Sequence, residues 1–147
     1  LGEEALAIAR QEGDQDQISV SLHNLARAAL RQRTFDEAGR RFAESLELAV
    51  ELGYREVIAY CLEGLGELAA ARREWEPAAR LLGAGLALFD ELGVPLGPEE
   101  RDGCEATIER LREALGEAGL AERRAEGGAA PLEQAVAAAL ELARAAG

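Results

Sequence analysis

The sequence predicts an all-α fold in which antiparallel helix hairpins stack side by side as a solenoid, closed by a C-terminal capping helix. Three observations predict it. One pattern is written twice without a gap: Ile18, Leu22, Leu25, Ala29, Phe35, Ala38, Phe42 and Leu46 return forty residues on as Ile58, Leu62, Leu65, Ala69, Trp75, Ala78, Leu82 and Leu86. Leu52-Gly53 likewise returns as Leu92-Gly93. Self-similarity at a fixed period of this length marks units that bury their apolar faces only against their neighbours. Within each unit the apolar residues fall at i, i+4, i+7 and i+11, one stripe of a helix. Finally, 48% of the residues are hydrophobic but only 4% are aromatic, so the core is built of Ala and Leu, the strongest helix formers.

Taken in order, residues 1–13 read as the tail of an earlier copy, since Leu6, Ala9 and Gly13 align with Leu46, Ala49 and Gly53. Leu1, Ala5, Ile8 and Ala9 form the apolar side of this orphan helix, expected to pack on the next helix or on another molecule. Gly13 stops it and Asp14 caps the next, which spans 17–32. Thr34, with Glu37 three residues on, predicts a capping box for a helix running to 52, with Ala38, Phe42, Leu46 and Ala49 inward. The second copy repeats the plan over 55–71 and 76–92, with Pro77 in a first turn where a missing N–H costs little.

The register then breaks. Asp102 and Glu105 stand where Leu62 and Leu65 would recur. A shift of 46 restores the stripe as Cys104, Ile108, Leu111 and Leu115, placing six extra residues in a stiff loop around Val94-Pro95-Leu96-Gly97-Pro98. A third helix is expected over 99–115, then only a short one near 118–126, because Gly119, Gly127 and Gly128 punctuate it. Pro131 opens a last helix with Leu132, Ala135, Val136, Ala139, Leu140 and Ala143 on one face, read as the cap. The whole is one domain of 147 residues: 1–13 from a truncated repeat, 14–53 and 54–93 as repeats, and 94–147 as a degenerate repeat with cap helices.

Composition excludes several functions. The net charge is −12, which repels phosphate backbones and argues against direct nucleic-acid contact. No apolar run approaches the ~20 residues of a membrane span. All basic residues are Arg, and Met is absent even at the first position, so the reading expects a piece of a longer, cytoplasmic protein. Cys61 and Cys104 lack metal-ligand spacing and read as reduced, buried thiols. A single histidine removes most metal and acid–base constellations, and without Lys there is no phosphate-binding loop of the Gly-Lys type. Gly64, Gly66, Gly83 and Gly85 fall inside helices as close-packing positions. No catalytic residues, metal ligands or cofactors are assigned.

Leu25-Ala26-x-x-Ala29 with Ala38-x-x-x-Phe42, and Leu65-Gly66-x-x-Ala69 with Ala78-x-x-x-Leu82, resemble the signature of tetratricopeptide repeats. The period of forty exceeds the usual 34, as in the longer variety of these repeats. HEAT-type repeats share the period but lack this spacing. The resemblance implies a right-handed superhelix whose first helices line a concave surface. Over 78–142, Ala79-Arg80-Leu81-Leu82-Gly83-Ala84, Leu92-Gly93-Val94-Pro95-Leu96, Leu111-Arg112-Glu113-Ala114-Leu115-Gly116 and Pro131-Leu132-Glu133-Gln134-Ala135-Val136 follow in order. That series resembles the C-terminal repeat domain of bacterial LuxR-type regulators carrying a switch ATPase. The resemblance implies that DNA and ATP binding belong to other domains.

On the expected concave face lie Val20, His23, Asn24, Arg27 and Arg31 from the first copy. Tyr60, Glu63 and Glu67 follow from the second, and Glu109 and Glu113 from the third helix. One wall is then basic, including His23 if protonated, and the other acidic. This suits a peptide or effector bearing both signs of charge, while pairs such as Arg27 with Glu67 can instead neutralise one another at the surface. The function expected is a non-catalytic scaffold binding a protein, a peptide or other domains of its parent. An effector sensor is the alternative, and a homodimer through the truncated first helix is a further expectation.

Overall fold

The computed structural model describes residues 2–145, so Leu1 of the expected apolar side lies outside the described residues. Among these residues the fold is entirely helical: α1 (Gly2–Glu12), α2 (Gln15–Arg31), α3 (Phe35–Leu52), α4 (Arg55–Ala71), α5 (Trp75–Leu92), α6 (Pro98–Ala129) and α7 (Leu132–Arg144). Among the described residues no helix is long and apolar enough to cross a membrane. Each of α1 to α5 packs on the helix that follows it, and α4 also touches both α2 and α6.

The helices end by one device used five times. At Gly13, Arg33, Gly53, Arg73 and Gly93 the backbone turns left-handed, with φ between +61° and +70°. At each site the next residue's amide reaches back five positions: Asp14 to Ala9 (3.0 Å), Thr34 to Ala29 (2.9 Å), Tyr54 to Ala49 (2.9 Å), Glu74 to Ala69 (2.8 Å) and Val94 to Phe89 (3.2 Å). This closure satisfies carbonyls that a helix end leaves bare. Glycine serves the turns between units and arginine the turns within them. The Asp14 cap forms as expected, its Oδ1 accepting from the Gln17 amide at 3.1 Å. The capping box does not, because Thr34 Oγ1 donates backwards to the Ala29 carbonyl at 3.1 Å and does not cap α3.

Ala38, Phe42, Leu46, Leu62, Leu65, Ala69, Ala78 and Leu82 are fully buried, as the repeat requires. Leu25 is only half-buried although its equivalent Leu65 is interior. It lies at the α1 side of the molecule, where a Cβ on Gly2 would come within 2.8 Å of its Cδ2. Along α1 itself, Leu6 and Ala9 are buried, whereas Ile8, expected inward, is 54% exposed and Ala5 is exposed. The inward line is therefore carried by Leu6 and Ala9.

The loop before α6 and the register shift hold, with Cys104 and Leu111 buried and Ile108 and Leu115 half-buried. The short helix expected near 118–126 is longer. Gly116 (φ +76°, ψ 165°) breaks α6 into two arms, and the second runs to Ala129 straight through Gly119, Gly127 and Gly128. Gly127 is there for proximity, since a Cβ on it would lie 1.9 Å from the Arg80 carbonyl oxygen. A Cβ on Gly83 would likewise lie 2.2 Å from that of Arg124. α5 and this second arm touch backbone to backbone.

The last helix is not an end cap. α7 folds back onto α3, reaching α4 and α5 as well. A Cβ on Gly39 would sit 2.4 Å from the Ala143 carbonyl oxygen, Arg144 pairs with Glu47, and Arg72 Nη1 donates to the Leu142 carbonyl at 3.4 Å. The landing site on α3 is its small pair Gly39 and Ala43. Forty residues on, the same places hold Ala79 and Gly83, the part of α5 that receives the second arm of α6. Small residues at these places let a following helix approach.

Candidate functional site

Seven of the ten expected groove residues converge where α2 meets α4. Arg27 Nη1 donates to Glu67 Oε2 at 2.7 Å and to Glu63 Oε1 at 3.3 Å. The expectation of an exposed, weakly coupled pair is corrected, because these side chains are only 6%, 10% and 0% exposed. Burial alone would depress the Arg27 pKa, but the charges of Glu67 and Glu63 outweigh it and raise it above its ordinary value. Two ionised carboxylates against one guanidinium would leave an uncompensated buried charge, which costs several kcal/mol. Burial, then Glu67 as hydrogen-bond partner and neighbouring charge, push the Glu63 carboxyl well above the usual range. Glu63 Oε2 meets no donor, and a proton there gives it a bond to Glu67. Protonation of Glu63 relieves the excess negative charge against the one guanidinium.

His23 does not join a basic wall. Burial first, then the Arg27 charge, lower its pKa from 6.5 to about 4, so the ring is neutral at ordinary pH. It packs edge to face with Phe42 (5.8 Å between centroids) and Tyr60 (5.6 Å), and Tyr60 continues to Phe89 at 4.8 Å. Its Nε2 is buried without a partner. Tyr60 Oη accepts from the Gly97 amide at 3.3 Å, tying α4 to the loop before α6.

Val20, His23, Asn24 and Tyr60 line one depression of about 290 Å³ together with Tyr54, Glu56, Val57 and Glu100. Arg31, exposed, leaves this site to pair with Glu99. Glu109 and Glu113 are not brought to it. Glu109 pairs with Arg112, and Glu113 borders a separate hollow with Arg73, Trp75, Arg110 and Ala114. The residue of α6 beside Glu67 is Gly103, where a Cβ would fall 2.5 Å from Glu67 Oε1. The acidic wall is thus supplied by Glu56 and Glu100, both missed in the sequence. Their only signal was a place in a helical first turn, which reads as favourable to the helix dipole wherever it occurs.

A second cleft, of about 630 Å³, opens between α5, the second arm of α6 and α7, with Leu81, Ala84, Ala135 and Leu142 among its apolar lining. Cys61 and Cys104 are buried and unpaired, and burial pushes each thiol up to about 12. Cys61 Sγ donates to Ser45 Oγ (3.4 Å), which donates to the Ser19 carbonyl (2.8 Å), a polar thread through the core. Among the described residues no group of three or more His, Cys, Asp or Glu is placed to hold a metal ion. Comparison with protein-family models, curated proteins and solved structures finds no match to this chain.

Proposed function

We propose that the chain is a non-catalytic interaction scaffold, a right-handed solenoid of tetratricopeptide type that binds a protein, a peptide or other domains of its parent. The observation that carries this reading is the shared depression of α2 and α4, in which equivalent first helices of two repeats present Val20, Asn24 and Tyr60 together. The five matching turn closures and the recurrence of apolar core positions every forty residues support a repeat architecture. The parent is proposed to be a cytoplasmic bacterial signalling regulator of the LuxR type, with DNA and nucleotide handled elsewhere in it. Neither nucleic acid nor membrane is a proposed partner.

Amide hydrogen exchange of the chain, alone and mixed with the remaining segments of its own full-length protein, tests this. Slowed exchange over 20–27 and 54–60, abolished by Asn24→Arg at unchanged melting temperature, is the expected result. Protection confined to α3 and α7, or none anywhere, contradicts it.

Effector sensing is the second reading, favoured by the α5–α6–α7 cleft, whose volume of about 630 Å³ falls within the usual span of small-molecule sites. Calorimetric one-to-one binding of a metabolite, lost in Ala138→Trp on the cleft wall, would support it; silence across a metabolite panel would remove it. The exposed Ile8 of α1 further suggests a second copy of the chain as a partner there. Light scattering that shows only monomer at high concentration would dispose of that contact.

A further inference from the structure

The α2–α4 depression is lined by two carboxylates, two phenols, an amide and a neutral imidazole, and by no cation. We propose that it receives one cationic side chain, a Lys ammonium or Arg guanidinium, from a basic peptide segment of a partner protein. This deepens the scaffold reading and rests on it.

Glu56 and Glu100 are half-buried, and among the described residues neither makes an ion pair, although Arg–Glu pairs are abundant over the rest of the surface. Neighbouring guanidiniums are committed elsewhere: Arg27 to Glu63 and Glu67, Arg31 to Glu99, Arg55 to Glu91, and Arg101 to the Leu96 carbonyl. Both acids sit in helical first turns, Glu56 at the start of α4 and Glu100 at the start of α6. Partial desolvation of two like charges in one hollow is unfavourable until a counter-charge arrives.

Independent signs point the same way. His23 lines the hollow with more than nine-tenths of its surface buried, and its Nε2 is without a partner. The Tyr60 phenol, raised first by burial, is raised further by Glu100, Glu56 and Glu63, so it senses a negative field. Tyr54 and Tyr60 add aromatic walls of the kind that attract organic cations. The hollow, at about 290 Å³, is at the small end for whole organic ligands and suits one side chain. The net charge of −12 steers basic partners toward it.

Selection of a displayed random heptapeptide library on the chain, followed by affinity measurement of the enriched peptides, tests the assignment. The expected result is a Lys or Arg at one fixed position. Affinity should then fall about tenfold or more in Glu56→Gln/Glu100→Gln, and also when ionic strength rises from about 0.05 to about 0.5 M. If the double variant melts lower than wild type, Glu100→Gln alone carries the comparison. Enriched peptides without a cationic residue, blocked by Asn24→Arg, would overturn the cationic pocket and leave the scaffold reading standing. Absence of any enrichment would overturn both. Competition by n-butylammonium at the peptide's own concentration would make the hollow a free-amine site and overturn the peptide assignment.

Discussion

Arg27 and Glu67 hold the same place in successive copies of the repeat, forty residues apart, and their side chains meet at 2.7 Å with almost no exposure to solvent. Opposite charges at equivalent positions let two like helices lie side by side where like charges would drive them apart. Glu63, one turn earlier on α4, completes the cluster and is the residue that must give up its charge.

Glu63→Gln reproduces the protonated acid. Because the folded state holds this proton above the ordinary pKa of 4.5, its stabilisation is complete below about pH 4.5 and is lost as pH rises through the folded value. The variant is expected to match wild type near pH 5 and to exceed it in alkaline urea unfolding by on the order of 1 kcal/mol. A variant less stable than wild type throughout would mean that Glu63 works as a carboxylate.

The His23 ring has the opposite sign. Its folded pKa, about 4 against 6.5, makes the neutral ring's contribution complete above about pH 6.5 and progressively lost as pH falls toward 4. The drop is worth about 3 kcal/mol, offset in part by the stabilisation that Glu63 gains as pH falls toward 4.5. An NMR titration should give an imidazole midpoint near 4, whereas a midpoint near 6.5 would place the ring in solvent.

Gly83→Val inserts branched carbon where even a single Cβ would stand 2.2 Å from the Arg124 carbonyl oxygen. α5 and the second arm of α6 must separate, so a loss of about 1–3 kcal/mol or more is expected. A change within about 0.5 kcal/mol would show that the two backbones are not in contact.

Arg73 holds φ +61° without the freedom of glycine, at a cost of roughly 1 kcal/mol. Arg73→Gly should raise stability by about 0.5–1 kcal/mol, the gain limited by the greater entropy of glycine in the unfolded chain. A fall in melting temperature would indicate that the arginine side chain contributes more than its backbone costs.

The sequence made the helices legible because apolar spacing is a local signal, and Phe42, Leu62, Leu65 and Leu82 all go where their stripe sends them. It misled wherever a residue type has two physical uses. Gly127 reads as a breaker but serves close approach, and Thr34 reads as a cap but closes the turn behind it. α7 read as an end cap because its apolar face shows that it packs, not where; Gly39 on α3 receives it. At the site, one helical projection gathers Val20, His23, Asn24, Arg27, Tyr60, Glu63 and Glu67, and all seven lie at the α2–α4 junction. It had no measure of depth, so buried Arg27 and His23 were read as a basic wall. The same projection carried Glu109 and Glu113 along a third helix whose groove-side residues come instead from its first turns, Glu100 and Gly103.

A double-mutant cycle in urea unfolding on Arg27→Met and Glu67→Gln tests most directly whether equivalent helices of two repeats lie side by side around this cluster. A favourable coupling of about 2 kcal/mol is expected for a buried pair in contact. A coupling below about 0.5 kcal/mol, the level of additive and separated sites, would contradict the arrangement.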